Sequence, residues 1–275
     1  MTQGETQQDK AFLDARKQAA ELAEKYKSDK KQQSFNLLLL GEMGSGKTFL
    51  IRTARRPIHI DSFDPGGSKG LSDLIVSGDI IVDSRYESEK PLSPFAFSEW
   101  KTVMDSRIRS GYFNYIGTYV LDSSTTWAKA IMNDILKKAG IAGSSPRFTK
   151  DYTPQKTAIE NAIYEMLDLP CDFILTGHLE SFTDESAGGR TRFRYMTTGK
   201  GSLVIPTLFD EVWTMDPRES SNGVEYRILT QNTGTHTCRS RLAKEGRLNQ
   251  YEKPDIKAIL KKVGRSTDDL PRLID

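Results

Sequence analysis

Hydrophobic and polar positions along the chain follow two rhythms. Over residues 9–27, Phe12, Ala15, Ala19, Leu22 or Ala23, and Tyr26 recur at three- and four-residue steps among Lys, Glu and Arg, which predicts a helix with one narrow apolar stripe. Such a stripe lies on the chain's own domain or, like a coiled-coil seam, docks on a neighbouring subunit. Lys27 to Ser34 has the polarity of a linker. Residues 35–40 (FNLLLL) are then a strand-length apolar run, and a strand apolar on both faces suits the middle of a parallel sheet covered by helices on each side.

The rhythm then alternates. Residues 57–61 and 79–82 read as strands, 95–108 as a helix, 115–121 as a strand, 127–139 and 154–167 as helices, and 171–176 as a strand. This succession predicts βαβ units, an α/β fold and a mostly parallel sheet. After Gly177 the character changes. Residues 181–202 are polar and rich in Gly, Thr and Arg, and the stretches 208–215, 223–230 and 235–238 read as shorter strands between turn residues. They are expected to finish one edge of the same sheet in antiparallel fashion, before a short amphipathic helix carrying Ile256, Ile259, Leu260 and Val263. The organisation expected is an N-terminal helix and linker (1–34), a core (35–245) and a helical tail (246–275).

Composition narrows the partners. The 275 residues carry 39 Lys plus Arg against 37 Asp plus Glu, a net charge of +2, so a charge-driven partner must be held by a local patch rather than a global field. Cys171 and Cys238, with three scattered histidines, have neither zinc-ligand spacing nor the density of a disulfide framework. The first thirty residues hold no apolar core of signal-peptide length, and the longest aliphatic run, Leu37 to Leu40, is far below a membrane span. A soluble, cytoplasmic protein without membrane partners is expected.

Candidate chemistry begins where the first apolar strand ends. Gly41-Glu42-Met43-Gly44-Ser45-Gly46-Lys47-Thr48, followed by Phe49, fits the phosphate-loop pattern G-x-x-x-x-G-K-[ST], and it leaves a strand to enter a helix-compatible segment, 48–54. Glycines let successive N–H groups converge on a phosphate. Lys47 would reach the β- and γ-phosphates, and the Thr48 hydroxyl would bind Mg²⁺. Asp122 closes the strand 115–121, the position from which a second acid supports the metal; otherwise it caps the next helix. Asp61 and Asp64, in Ile60-Asp61-Ser62-Phe63-Asp64-Pro65-Gly66-Gly67, are candidates for the carboxylate that orients and deprotonates the attacking water, or belong to an Asp-Pro-Gly turn.

The GEMGSGKT loop, the IDSFDPGG stretch, the strand ends YVLDSST and FILTGH, and the Arg-Ser-Arg at 239–241 together resemble the RecA-like P-loop ATPase core, in particular small RecA-like ATPases of bacteriophages, over about residues 35–245. The resemblance implies ATP with Mg²⁺ as ligands, Lys47, Asp64 and Asp122 as catalytic residues, and His178 as the γ-phosphate sensor. Asp64 is the better match for the acid acting on water, with Asp61 left open by one extra residue of spacing. Arg239 and Arg241, two apart on an expected strand, correspond to a cationic pair that reaches a neighbour's γ-phosphate, which implies a homo-oligomeric ring or filament.

Residues 141–156 and 181–200 occupy the places of the family's DNA-facing loops, and the second interleaves Arg190, Arg192, Arg194 and Lys200 with Phe193 and Tyr195. Its alternation also fits one strand of a hairpin with solvated arginines. The implied role is ATP hydrolysis on single-stranded DNA in phage recombination, repair or replication inside a bacterial host, beside a single-strand-binding protein. The alternatives are an ATP-gated assembly protein without a DNA role and, more remotely, a small-molecule kinase whose lid is the 181–200 segment.

Overall fold

A computed structural model describes residues 3–28, 34–221, 223–243 and 246–274. Most of the expected linker, the middle of the 221–223 turn and the expected core boundary at 245 lie outside the described residues. The chain divides into two compact units, Met1–Ser34 and Phe35–Asp275. The first is a single helix, α1 (Gln3–Ser28), on which Phe12, Leu13, Leu22 and Tyr26 are exposed. Among the described residues no helix is long and apolar enough to cross a membrane.

The second unit is built on β1 (Asn36–Leu40). Side chains alternate across a strand, and here both faces are apolar: Leu38 and Leu40 enter one core, Leu37 and Leu39 the other. That two-sided burial places β1 between two parallel neighbours, β5 (Asp172–Gly177) and β8 (Glu211–Met215). Beyond β5 lie β4 (Thr118–Asp122), β2 (Ile58–Ser62) and β3 (Ile80–Asp83), all parallel. Beyond β8, the short strands β11 (Ile228–Leu229) and β13 (Tyr251–Glu252) continue the sheet antiparallel, and β12 (Arg239–Ser240) also pairs antiparallel with β8. The molecule is therefore an α/β protein with a mostly parallel central sheet, flanking helices and antiparallel edge strands.

Two helical layers cover the sheet. One core contains Trp100 from a helix over Ala96–Arg109, Trp127 and Ile131 from a helix over Ser124–Lys138, and Ile159 and Ile163 from a helix over Tyr152–Leu167. The opposite core takes Leu50 and Ile51 from the five-residue helix α2 (Lys47–Ile51), with Ile256, Ile259 and Leu260 from the C-terminal helix (Ile256–Lys262).

Four expectations need correction. The strand expected from Tyr115 starts at Thr118, because Tyr112–Tyr115 is a 3-10 turn and the backbone at Gly117 passes too close for a side chain: a Cβ there would lie 2.5 Å from the Arg56 carbonyl oxygen. The strand expected at 208–215 loses its first three residues, Leu208 to a helix over Gly201–Leu208 and the next two to the connection, and its remainder, β8, runs parallel rather than antiparallel. Residues 223–230 split into β10 (Gly223–Glu225), which pairs with β9 (Arg218–Ser220) as a separate hairpin, and β11. The strand expected at 235–238 appears instead at Arg239–Ser240, and Arg241 bends away from it.

A buried charge pair locks β5 to the start of β1. Asp172 accepts from the Phe35 backbone N–H at 2.8 Å and from Arg55 Nε at 2.6 Å, with its carboxylate almost wholly buried. Removing one partner strands the other charge in the interior, so Arg55→Ala is expected to lower stability by about 3–5 kcal/mol. Urea unfolding should show this as a lower midpoint at unchanged slope.

Candidate functional site

The phosphate-loop sequence leaves the carboxyl end of β1, and neighbouring strand ends bring its companions. The Gly41 N–H donates to the Gly177 carbonyl at 3.3 Å, which ties the loop to the end of β5. Ser45 N–H donates to Glu42 O at 3.2 Å, closing a turn inside the loop. Gly46 sits at φ 95°, the left-handed region that lets the chain reverse into α2. Lys47 folds back over the loop, its Nζ donating to Gly41 O at 2.8 Å and Glu42 O at 2.9 Å. Desolvation lowers the Lys47 pKa, opposed by the negative charges of Asp122, Asp64 and Glu42. The helix expected at 48–54 ends at Ile51, so little macrodipole stands behind the loop.

Asp122 ends β4 and is only 6% exposed. Thr176 of β5 donates its hydroxyl to Asp122 Oδ1, and the Asp122–Ser123 peptide is cis. Asp64 lies beside it, accepting from Ser123 Oγ at 2.9 Å and Thr126 Oγ1 at 2.5 Å. A Cβ built at Gly67 would lie 3.4 Å from Asp64 Cβ and 3.5 Å from Asp122 Oδ2, so the two acids border one small space. Burial pushes the Asp122 carboxyl up, and the charges of Asp64 and Glu87 add to that; the Thr176 hydrogen bond and Lys47 oppose it.

Glu87 and Thr176 are the members that sequence reasoning missed. Glu87 accepts from Ser62 Oγ at 2.7 Å and from the Gly66 N–H at 2.9 Å, fixing the segment that carries Asp64. Its only sequence signal was an acid four residues past the end of β3. Asp61, the other acid left open, has a different place. It is fully buried and accepts from Trp100 Nε1 at 2.9 Å, Tyr119 OH at 2.7 Å and Arg107 Nη1 at 2.9 Å, with His59 Nε2 at 3.0 Å. Burial opposes its ionisation, but His59, Arg107 and Tyr119 hold the carboxyl below the usual range.

Hard oxygen donors suit Mg²⁺. Among the described residues no three His, Cys, Asp or Glu side chains form a ready-made metal cluster. The Asp122 carboxylate, raised by burial and by two neighbouring acids, would be relieved by a cation, and Thr48 stands in the first turn of α2 next to Lys47. The residues present therefore fit the ion.

His178 follows β5 directly, half-buried near Lys47. Burial and the Lys47 charge lower its pKa, so the ring is neutral at pH 7 and hydrogen-bonds the Gly41 backbone. The arginines expected on one strand face are separated. Arg239 Nη1 donates to the Thr207 carbonyl at 3.0 Å, and Arg241 Nη1 to Asp210 at 2.6 Å. Asp210 precedes the start of β8, whose Glu211 aligns with Leu37, whereas the phosphate loop follows Leu40 at the other end. Arg241 thus does not join its own protomer's loop.

The segment 181–200 is a hairpin, β6 (Leu179–Asp184) with β7 (Arg190–Tyr195). Arg192 pairs with Asp184 at 3.0 Å and Arg194 with Glu180 at 2.7 Å. Phe193 stacks on His236 at 4.8 Å between centroids, and Tyr195 is 3% exposed in the core. Tyr195 is therefore not presented to a base; Arg190 and Lys200 are exposed. In the other expected DNA loop, Arg147 is tied to Asp151 at 2.8 Å.

A raised carboxyl means that ionisation of Asp122 penalises the folded state. Its contribution is complete below the ordinary carboxylate range and is lost as pH climbs through the raised pKa. At neutral pH, Asp122→Asn should therefore raise the melting temperature of the ligand-free protein by about 2–4 °C. Differential scanning calorimetry of the two proteins reads the effect.

The AAA domain family matches residues 33–242. No curated protein sequence matches the chain. Among solved structures, a KaiC-like protein from Pyrococcus horikoshii OT3 is similar at 14% identity and a TM-score of 0.41, over 75% of this chain and 81% of that one. The flagellar accessory protein FlaH from Methanocaldococcus jannaschii is similar at 12% identity and a TM-score of 0.38, over 79% and 83%. With most of its length matched by the family, the chain belongs to the AAA domain family.

Proposed function

We propose that the protein is a Mg²⁺-dependent RecA-like ATPase that works as a homo-oligomer and whose β6–β7 hairpin is its output element. The observation that carries the reading is the meeting of Lys47 with Asp64 and Asp122 where β1 ends. Lys47 exchanges the Gly41 and Glu42 carbonyls for β- and γ-phosphate oxygens. Thr48 and Asp122 hold Mg²⁺, which neutralises phosphate charge. Asp64, oriented by Ser123 and Thr126, accepts the proton of the attacking water as its oxygen bonds to the γ-phosphorus and the bond to the β–γ bridging oxygen breaks, leaving ADP. Neutral His178 can donate a hydrogen bond to the γ-phosphate. Because β6 begins at Leu179, loss of that contact is transmitted straight into the hairpin.

The polymer proposed is single-stranded DNA, tracked by Arg190 and Lys200, in a phage recombination, repair or replication setting beside a single-strand-binding protein. A second reading, ATP-gated assembly without DNA, is favoured by one set of observations: Arg192 and Arg194 are spent on acids of the facing strand, and Phe193 and Tyr195 have protein partners.

Turnover measured against protein concentration, with and without single-stranded DNA, separates them. A rate per protomer that rises with concentration and rises further with DNA at low salt supports the first reading; concentration dependence without a DNA effect supports the second. Lys47→Ala should abolish nucleotide binding. If Arg241 acts across a subunit boundary, Arg241→Ala should keep binding and stability, since its Asp210 pair is solvent-exposed, and lose turnover by roughly a thousandfold or more. Unchanged turnover in that variant would rule out the trans role.

A further inference from the structure

The acid proposed to act on water sits on a turn rather than a strand. β2 ends at Ser62, and Asp64 follows two residues later in a turn closed by the Gly67 N–H, which donates to the Asp64 carbonyl at 2.9 Å. With Gly66 in the left-handed region (φ 74°) and a second glycine after it, residues 62–67 have several backbone conformations open to them. A contact from outside must select one. Asp64 Oδ1 accepts from both Ser123 Oγ and Thr126 Oγ1, and no hydrogen bond among the described residues reaches Oδ2. The open oxygen is the one a water can use, provided the turn holds still.

Glu87 meets that turn at both ends. It lies on the 3-10 turn Arg85–Ser88, directly after the edge strand β3. Its Oε1 accepts from Ser62 Oγ at 2.7 Å, at the entry, and its Oε2 from the Gly66 N–H at 2.9 Å, near the exit. One carboxylate therefore fixes residue 62 against residue 66, and with them the direction of Asp64 in between. The 3-10 turn is anchored in its own right. Tyr86, fully buried, stacks on Phe63 at 5.0 Å between centroids and donates to Asp83 Oδ2 at 3.2 Å. Arg85 holds the same carboxylate through Nε at 2.8 Å and Nη2 at 2.6 Å. The Phe63 N–H in turn donates to the Asp122 carbonyl at 2.6 Å, which ties the turn to the end of β4.

We propose that Glu87 is a positioning residue for hydrolysis: its two hydrogen bonds hold residues 62–67 so that Asp64 keeps its open oxygen toward the attacking water. The inference rests on the reading of Asp64 as the acid that accepts the water proton, and deepens it by naming what orients that acid. Both groups held by Glu87 are neutral, a hydroxyl and a backbone amide, so the position requires two hydrogen-bonding atoms rather than a negative charge. Glutamine supplies them: its amide oxygen accepts from the Gly66 N–H, and its amide N–H donates to the Ser62 hydroxyl. Alanine supplies neither. An acid displaced by about 1 Å costs on the order of a hundredfold in rate, because base and water no longer line up.

The test compares the full-length wild-type protein with Glu87→Ala, Glu87→Gln, Ser62→Ala, Asp64→Asn and the Asp64→Asn/Glu87→Ala double variant. Three readouts are taken: MgATP turnover, calorimetric affinity for a non-hydrolysable ATP analogue, and amide hydrogen exchange of the ligand-free protein. Glu87→Ala should lower kcat about a hundredfold at unchanged analogue affinity, and its Gly66 amide should exchange about tenfold faster. Glu87→Gln should rescue both. Ser62→Ala, which removes one bond and no charge, should show the same pattern to a smaller degree. In the Asp64→Asn background Glu87→Ala should cost nothing further, since a residue that acts through another loses its effect once the other is gone. Turnover in Glu87→Ala within roughly threefold of wild type, Glu87→Gln as slow as Glu87→Ala, or full additivity in the double variant overturns the inference. Wild-type turnover in Asp64→Asn would show instead that the reading of Asp64 is wrong, and the role of Glu87 falls with it.

Discussion

One ammonium group at the end of a buried strand organises this molecule's chemistry. Lys47 is drawn over its own loop by two backbone carbonyls and faces carboxylates from two other strand ends. Its position follows from β1 being buried on both faces: a strand with leucines on either side must lie inside a parallel sheet, and every parallel neighbour then delivers its carboxyl end to the same edge. Asp122 arrives on β4, Thr176 on β5 with His178 just after it, and Asp64 just beyond β2, from three stretches far apart in sequence. The cost is a crowded set of charges. Asp122 is buried beside two further acids, and burial with their charges holds its carboxyl above the usual range.

The same sheet separates chemistry from scaffolding within a few residues. Along β2 the side chain of Asp61 enters the core of Trp100 and Tyr119, where Arg107 pairs with it and His59 hydrogen-bonds it. Three residues later, Asp64 has left the strand and stands at the edge with Asp122. The pinning of Asp61 and the grip of Glu87 on Ser62 and Gly66 hold this segment from both sides, so the acid proposed to act on water is carried by a braced turn rather than a free loop.

Much of this was legible in the sequence. The phosphate loop, the two-sided strand before it and the acid closing β4 are local patterns, and local patterns survive folding. What was hidden depended on register between distant segments. Glu87 matters only because β3 lies beside β2. Arg192 and Arg194 looked available for a polyanion until the hairpin register set Arg194 against Glu180 and brought Arg192, opposite Phe182, diagonally to Asp184, and Tyr195 faces the core because the strand alternates. The helix over Gly201–Leu208 was obscured because its apolar residues follow a polar stretch and run into the next strand. Arg241 was expected beside Arg239 on one face, but the pairing with β8 lasts two residues and Arg241 turns to Asp210.

The central claim is that the loop after β1 surrounds a triphosphate and that Lys47 is its movable cation. A crystal structure of the protein grown with Mg²⁺ and a non-hydrolysable ATP analogue tests it directly. The account predicts phosphate oxygens on the amides of residues 42–48, with Lys47 Nζ released from the Gly41 and Glu42 carbonyls to meet the β- and γ-phosphates. A triphosphate bound elsewhere, or a loop unchanged with Lys47 still on those carbonyls, would contradict it.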